Sequence, residues 1–193
     1  MAPSPIEKKA ALGEELAKVR LGRLYREQAR AILAYALRRV KNPDDASDVV
    51  AETFLVAWRR LDEVPLGRGE RLWLYAVARR VAANIRRAEG RRTRLSERLS
   101  ETLPTELANP PEPGGEAAGA LRAMAGLGDE ERELLLLVTW DELSPSEAAK
   151  VLGLTQLAAR SRLHRARRRL RGLLEEHESG ALCGPQLDTE EAG

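Results

Sequence analysis

The chain has 193 residues, a length that suits one domain or two small ones. Aromatic residues make up only 4% of it, while Leu, Ala and Arg dominate, which favours helices and argues against a β-sandwich or β-barrel. Basic and acidic residues nearly balance, 32 against 30, so the net charge of +2 excludes no class of partner.

Metal-binding and disulfide-forming residues are scarce. The single cysteine, Cys183, excludes an internal disulfide and a cysteine-cluster metal site, and only His164 and His177 could add ligands. We therefore expect no metal and no cofactor. Residues 1–20 are charged and unlike a signal peptide, and no apolar run approaches the roughly 20 residues of a membrane span. A cytoplasmic protein is predicted.

Two polar segments divide the chain. Residues 99–119 hold four prolines, three glycines and no basic residue, which predicts a flexible acidic linker. Residues 175–193 carry six acidic residues and no Lys or Arg, which predicts a disordered tail. Two helical domains remain, at 15–98 and 120–174, so the predicted fold class is all-α.

The first domain shows three helical patterns in succession. The first helix is predicted to end near Lys41, and Asn42 with Pro43 has the chemistry of an N-cap and first position for the second. Apolar residues at helical spacing predict the buried faces: Leu21, Tyr25, Ala29, Ile32, Ala36 and Val40, then Ala46, Val50, Phe54, Ala57 and Leu61, then Leu74, Val77 or Ala78, Val81 and Ile85.

The second domain has the pattern of a helix-turn-helix. After a helix at about 129–140, Ser144 and Glu147 match a capping box, Gly153 suits a helix stop, and Thr155 can cap the next helix, to about Leu174. The inward stripes are predicted as Leu134, Leu137 and Val138, then Ala159, Leu163, Ala166, Leu170 and Leu174.

The last of these helices has seven arginines and no acidic residue between 156 and 174. Arginine pairs with guanine edges and with phosphates, so this helix is interpreted as a reader of the DNA major groove. An ordinary solvated basic helix is the alternative.

Two surfaces of the first domain carry different charge. Arg80, Asn84 and Arg87 share a face of the third helix, one heptad after Trp73, which suits single-stranded nucleic acid unless Trp73 belongs to the core. The second helix presents an acidic stripe around an outward Leu55, which suits a basic protein partner, although a merely solvated face is the simpler interpretation. No glycine-rich phosphate loop or catalytic triad is evident, which argues against an enzyme.

Three segments in order, DASDVVAETFLVAWRRL, RLWLYAVARRVAANIRR and ERELLLLVTWDELSPSEAAKVLGLTQLAARSRLHRARRRL, resemble an extracytoplasmic-function (ECF) sigma factor of bacterial RNA polymerase. The resemblance implies a promoter-specificity subunit without catalysis of its own. It implies that the first domain docks on the clamp of the largest polymerase subunit and reads and melts the minus-ten element. The second domain would dock on the flap of the second-largest subunit and read the minus-thirty-five element. The family also implies an anti-sigma partner and a linker that enters the polymerase cleft.

The resemblance and the charge patterns together nominate three sets of residues. The polymerase-binding residues are Asp48, Glu52, Thr53, Leu55 and Arg59. The minus-ten residues are Trp73, Tyr75, Arg79, Arg80, Asn84, Arg86 and Arg87. The minus-thirty-five residues are Gln156, Leu157, Arg160, Ser161, Arg162, His164, Arg165, Arg167 and Arg168.

Three positions depart from the family pattern: Ala51 stands where glutamine is usual, Arg80 where asparagine is common, and Leu157 where glycine opens the recognition helix. The main rival interpretation is a stand-alone dimeric helix-turn-helix regulator, which would bind palindromic duplex unaided. A helical adaptor that binds only proteins would leave the arginine-rich helix without a purpose.

Overall fold

The computed structural model describes residues 5–100 and 116–182. This part of the chain contains seven α-helices and no strand, which confirms the all-α prediction. The helices are α1 (Pro5–Leu37), α2 (Pro43–Arg59), α3 (Arg68–Ser100), α4 (Glu116–Ala125), α5 (Asp129–Thr139), α6 (Pro145–Leu152) and α7 (Gln156–Leu182), with a short 3₁₀ helix at Leu61–Glu63 between α2 and α3.

The chain divides into two compact units, Met1–Glu106 and Leu107–Gly193. The division falls within the predicted linker, whose central residues, 101–115, lie outside the described part of the chain. Both edges of that linker are helical, because α3 continues to Ser100 and α4 begins at Glu116. The predicted tail is also helical as far as Leu182, since α7 runs on without a break.

In the first unit, α1, α2 and α3 pack against one another around the aromatic pair Tyr35 and Tyr75. The predicted stripe of α2 is buried throughout. The predicted stripe of α1 is buried at Ile32 and Ala36 and partly buried at Leu21, Ala29 and Val40. Tyr25 is the exception: it is 52% exposed, with its ring in a T-shaped contact with Phe54, while the neighbouring Leu24 is buried. The α1 helix ends at Leu37, four residues before the predicted Lys41.

In the second unit, α7 packs against α4, α5 and α6. Its predicted inward residues Ala159, Leu163 and Ala166 are buried, and Leu170 and Leu174 are partly so. Ala149 of α6 is also buried, which is consistent with a close approach of helices there. The helix α4 was not predicted, since its first residues read as linker.

Candidate nucleic-acid and protein interfaces

The start of α7 is set by local chemistry in the preceding α6 and turn. The Glu147 backbone amide donates to Ser144 Oγ at 3.3 Å, and the Ser144 amide donates to the Glu147 carboxylate at 2.9 Å, which completes the predicted capping box. Gly153 ends α6 in the left-handed region, with φ of 68°. Thr155 Oγ1 then accepts from the Ala158 amide at 3.2 Å. These caps fix the helix-turn-helix and so determine which face of α7 is buried.

The face of α7 opposite the buried stripe is basic and open to solvent. Leu157, at the first turn, is 79% exposed. All but one of the predicted minus-thirty-five residues are exposed: Gln156, Leu157, Arg160, Ser161, His164, Arg165, Arg167 and Arg168. A helix with this face can enter a major groove and present guanidinium groups to base edges and phosphates.

Arg162 is the exception, because it faces α5 rather than solvent. Its guanidinium forms an ion pair with Glu130, and two turns later Arg169 lies 3.7 Å from Glu131. Arg162 is only partly exposed, and its charge is balanced inside the unit. Arg162 therefore helps hold α7 against α5, a role that the sequence does not predict, and a contact of Arg162 with DNA remains a prediction.

On α3, the basic surface follows the predicted face. Arg80, Asn84, Arg86 and Arg87 are exposed, and Arg87 donates a hydrogen bond to the Asn84 side-chain oxygen. Trp73 and Arg79 are partly exposed. The surface therefore combines cationic groups with an accessible indole, the combination that melted DNA requires.

Tyr75 does not belong to that surface. It is 1% exposed, and its ring packs perpendicular to Tyr35 with centroids 5.3 Å apart. A ring enclosed in this way cannot stack on a base, so the prediction that Tyr75 contacts DNA is corrected: it is a core residue.

On α2, the predicted docking face is exposed at Asp48, Glu52, Leu55 and Arg59. Thr53 is the exception, since it is fully buried and its hydroxyl donates to the Val49 carbonyl at 2.6 Å. Thr53 therefore stabilises the helix interior rather than contacting a partner directly.

Sequence reasoning missed one residue of the α2 face. Trp58 is 38% exposed, close to the 39% of Leu55 three residues earlier. Residues three apart lie side by side on a helix, so the two form one apolar patch among charges. That spacing was visible in the sequence. Aromatic residues are enriched at protein interfaces, which makes Trp58 a candidate contact.

A groove of about 940 Å³ lies on the surface between the packed helices α2 and α3. One wall includes Asp48, Glu52 and Leu55, and the other includes Arg80 and Asn84. The structure thus brings the predicted protein-binding face and the predicted DNA-binding face to the two sides of one depression. At its edge, a hydrogen bond from Arg60 holds the pKa of the Glu63 carboxyl below its ordinary value.

Within the described residues, no group of three or more His, Cys, Asp or Glu side chains is arranged to hold a metal ion. The helices described there also include none long and apolar enough to cross a membrane.

Family models match both units, in the order in which they occur. The model described as Sigma-70 region 2 matches residues 24–92, which span most of α1–α3. The model described as Sigma-70, region 4 matches residues 119–170, which include the helix-turn-helix.

Curated relatives match over most of their length. The RNA polymerase sigma-E factor of Streptomyces avermitilis is 32% identical over 162 residues, 83% of this chain and 87% of that protein. The ECF RNA polymerase sigma factor SigL of Mycobacterium tuberculosis is 33% identical over 156 residues, covering 79% and 88%.

Solved structures of sigma factors share the fold. The sigma factor RpoE in complex with the anti-sigma factor NepR, from Bartonella quintana, matches with a TM-score of 0.59 and 26% identity over 78% of this chain and 94% of that one. CnrH in complex with the cytosolic domain of CnrY matches with a TM-score of 0.59 and 27% identity, over 81% and 88%.

Sigma regions 2 and 4 are therefore both present in the expected order, each on its own helical unit. Relatives above 30% identity cover more than two thirds of the chain. The chain belongs to the ECF sigma factors, the subunits that direct bacterial RNA polymerase to specific promoters.

Proposed function

We propose a division of labour between the two units of this sigma factor. The first unit, corresponding to the predicted domain 15–98, binds the polymerase clamp through α2 and reads and melts the minus-ten element through α3. The second unit, corresponding to the predicted domain 120–174, binds the flap and reads the minus-thirty-five duplex through α7. The chain supplies recognition, and catalysis stays with core polymerase in the cytoplasm.

The observation that carries this proposal is the outward basic face of α7. Arg160, His164, Arg165 and Arg168 are exposed on the helix that follows a capped turn. Arg162, which is partly exposed, and Arg169, which is exposed, instead form ion pairs with α5. If the arginines of α7 served only solubility, there would be no reason for some of them to pair with α5 while others line the opposite face. The separation supports base reading by the exposed set and a structural role for the paired set.

The α2 face supports docking on a protein. Asp48 and Glu52 supply negative charge, and Leu55 with Trp58 supplies an apolar centre. Apolar residues at the centre of a patch contribute most of the affinity, and surrounding charges select the partner and speed association. A basic, partly apolar helix on the polymerase clamp would fit this surface.

An anti-sigma factor is a second proposed partner. The relatives RpoE and CnrH were solved with NepR and with the cytosolic domain of CnrY respectively. By analogy, we expect this chain to be held inactive by a protein that covers one or both of its binding surfaces. The proposal that residues 101–115 enter the polymerase cleft concerns residues outside the described part of the chain.

Run-off transcription tests the proposal directly. Core polymerase with this chain should initiate at a defined subset of genomic fragments, and core polymerase alone should not. The control is Lys150→Ala, which removes an exposed cation from α6 without touching the reading face of α7. Failure of the purified chain to join core polymerase would contradict the proposal.

The rival, a dimeric regulator, makes the opposite prediction. It would bind palindromic duplex tightly without core polymerase. The acidic and apolar face of α2 and the match to Sigma-70 region 2 disfavour it. A gel-shift experiment with the chain alone distinguishes a dimeric regulator from a sigma factor.

A further inference from the structure

Arg20 of α1 makes long-range contacts to the connection between α2 and α3. Its Nη1 donates to the Leu61 carbonyl at 3.1 Å, and its Nη2 donates to the carbonyls of Val64 at 2.7 Å and Pro65 at 3.3 Å. One guanidinium therefore holds three backbone groups more than 40 residues away. Arg20 lies before the segment 24–92 that matches Sigma-70 region 2.

The connection that Arg20 holds has a specific shape. Leu61 and Val64 are buried, and Gly67 adopts the left-handed region with φ of 67°. A Cβ on Gly69 would lie 2.7 Å from Cβ of Pro65, so the chain can pass there only without a side chain. Arg20 supplies donors for the carbonyls of Val64 and Pro65, and it adds a second donor to the Leu61 carbonyl, which also accepts from the Val64 amide at 3.2 Å.

A second contact ties α1 to the first turn of α3. Glu70 is 6% exposed, and its Oε1 accepts from Arg23 Nη2 at 2.6 Å and lies 3.8 Å from Arg20 Nη2. A buried carboxylate is strongly destabilising unless it is paired. Arg23 contributes most of that pairing, whereas Arg20 divides its contacts between the connection and Glu70.

The connection joins α2 to α3 and would be the hinge of any tilt between them. Arg80 lies twelve residues beyond Arg68, where α3 begins, which is about 18 Å along a helix. A tilt of about 10° at the hinge would move Arg80 by about 3 Å, as far as a whole hydrogen-bond length. Buried residues of both helices, Phe54 and Leu74 among them, resist separation of the helices, and the contacts of Arg20 brace the connection itself.

We propose that Arg20 is a positioning residue for promoter opening: by holding the α2–α3 connection, it sets the DNA-binding face of α3 relative to the docking face of α2. The inference rests on the proposed roles of those two faces. It predicts that loss of Arg20 leaves docking on polymerase nearly intact, because the α2 face is unchanged. What is lost is the correct placement of Arg80 and Asn84 against DNA once polymerase is bound.

The test compares Arg20→Met with Arg23→Met in reconstituted holoenzyme. Methionine keeps an unbranched apolar stem and removes the guanidinium. The Arg23 substitution is the matched control, since it removes one cation from the same cluster but no hydrogen bond to the connection. Three quantities are measured: the melting temperature of the chain, its Kd for core polymerase, and thymine reactivity to permanganate at a promoter identified by run-off transcription. Reactivity is measured with the chain saturating and well below its melting temperature.

For Arg20→Met we expect core affinity within about twofold of wild type. Promoter opening should fall about tenfold, because displacing Arg80 and Asn84 by about 3 Å would break hydrogen bonds to DNA, and one such bond from a charged group is worth about that factor. Promoter opening by Arg20→Lys should be closer to that of Arg20→Met than to that of wild type, since one ammonium cannot reproduce the planar fork of donors in a guanidinium. Arg23→Met should lower the melting temperature, with opening within about threefold of wild type at saturation.

Two results would overturn the inference. One is promoter opening by Arg20→Met equal to that of wild type. The other is an equal reduction of opening by Arg23→Met, because that result would show that the arginine cluster only stabilises the fold. If Arg20→Met does not fold, Arg20→Lys carries the same comparison. Failure of the wild-type chain to open any promoter with core polymerase would instead contradict the proposed function.

Discussion

Arginine residues on one helix of this sigma factor have different neighbours, and we expect their roles to differ accordingly. On α7, Arg162 faces Glu130, whereas Arg160, Arg165 and Arg168 face solvent. Their positions along α7 show which arginines are paired and which face solvent only when the position of α5 is known. At the scale of single residues, the partner therefore decides the role.

Base reading by α7 is tested with alanine substitutions. Arg160→Ala or Arg165→Ala should cost about 1–3 kcal/mol at particular minus-thirty-five base pairs, because a side chain that pairs with a base edge discriminates between bases. Arg168→Ala, further along the helix, should weaken binding to all sequences alike if it contacts phosphate. Holoenzyme affinity for promoters with single base-pair changes measures both.

Arg162→Ala is the internal control for that series. It should leave base preference unchanged, because its guanidinium is engaged with Glu130. A promoter-specific loss from Arg162→Ala would contradict the assignment, as would equal losses on every promoter from Arg160→Ala.

Two neighbouring aromatic residues on α3 should behave differently. Tyr75→Ala should lower the free energy of unfolding by about 3–5 kcal/mol, as expected when a fully buried aromatic is truncated. Trp73→Ala should lower stability less than Tyr75→Ala does, and it should weaken binding of single-stranded DNA more, since Trp73 is partly exposed. Urea denaturation and binding of a single-stranded minus-ten oligonucleotide by holoenzyme separate the effects. Unchanged stability in Tyr75→Ala with lost oligonucleotide binding would restore Tyr75 to the DNA surface.

At the scale of helices, α2 combines a buried side with a charged and apolar outer side. Asp48, Glu52 and Leu55 lie on the outer side, while Thr53 and Phe54 are buried. The outer side borders the groove whose other wall belongs to α3. The proposed docking face and the proposed DNA-binding face therefore lie on adjacent helices of one bundle.

Charge reversal on α2 tests docking. Glu52→Arg should slow association with core polymerase by about tenfold at low salt, because complementary charge accelerates encounter, and the difference should shrink as salt is raised. Asp62→Arg is the matched control, since it makes the same charge change at an exposed site outside α2. Association rates by stopped flow measure the effect; equal rates for the two variants would exclude α2 as the docking face.

The caps around α6 make a prediction about stability. Ser144→Ala should lower the free energy of unfolding by about 0.5–2 kcal/mol, since it removes the N-cap acceptor. Gly153→Ala should cost about 1–2 kcal/mol because its φ of 68° is unfavourable for a residue with a Cβ. Lys150→Ala on the same helix is the control and should be nearly neutral. Thermal and urea denaturation measure the stability of the three variants. If Ser144→Ala left the free energy of unfolding unchanged, the capping box would contribute little to it.

At the scale of the whole molecule, the chain forms two compact units, and the proposed function divides recognition between them. The DNA-binding surface proposed for each unit is small. Linked binding sites gain affinity when both can be engaged together, and the gain depends on their being held at a suitable separation. Core polymerase would supply that separation by docking both units.

The free chain should therefore bind promoter duplex weakly and with strong salt dependence. Addition of core polymerase should raise promoter affinity by about 10²–10⁴, the range that simultaneous engagement of two sites can provide. Fluorescence anisotropy of a labelled promoter, with and without core polymerase, measures the change. Tight binding by the chain alone, as a symmetric dimer, would contradict this account.

The sequence by itself determined the features that depend on neighbouring residues. The caps at Asn42, Ser144 and Thr155 and the stop at Gly153 were all predicted and are all present, because capping chemistry acts within one helical turn. The order of basic and acidic helices, and the family resemblance that it carries, were also readable without coordinates.

Only the tertiary structure decided the roles of residues whose partners are distant in sequence. Tyr75 is enclosed because Tyr35 of α1 packs against it, and Arg162 is paired because α5 brings Glu130 to it. Arg20 reaches carbonyls 41–45 residues away. Helical periodicity narrows the buried side to a broad stripe, but an aromatic or cationic residue at its margin can face core or solvent equally well. Which one it faces depends on the atoms that a second helix places beside it.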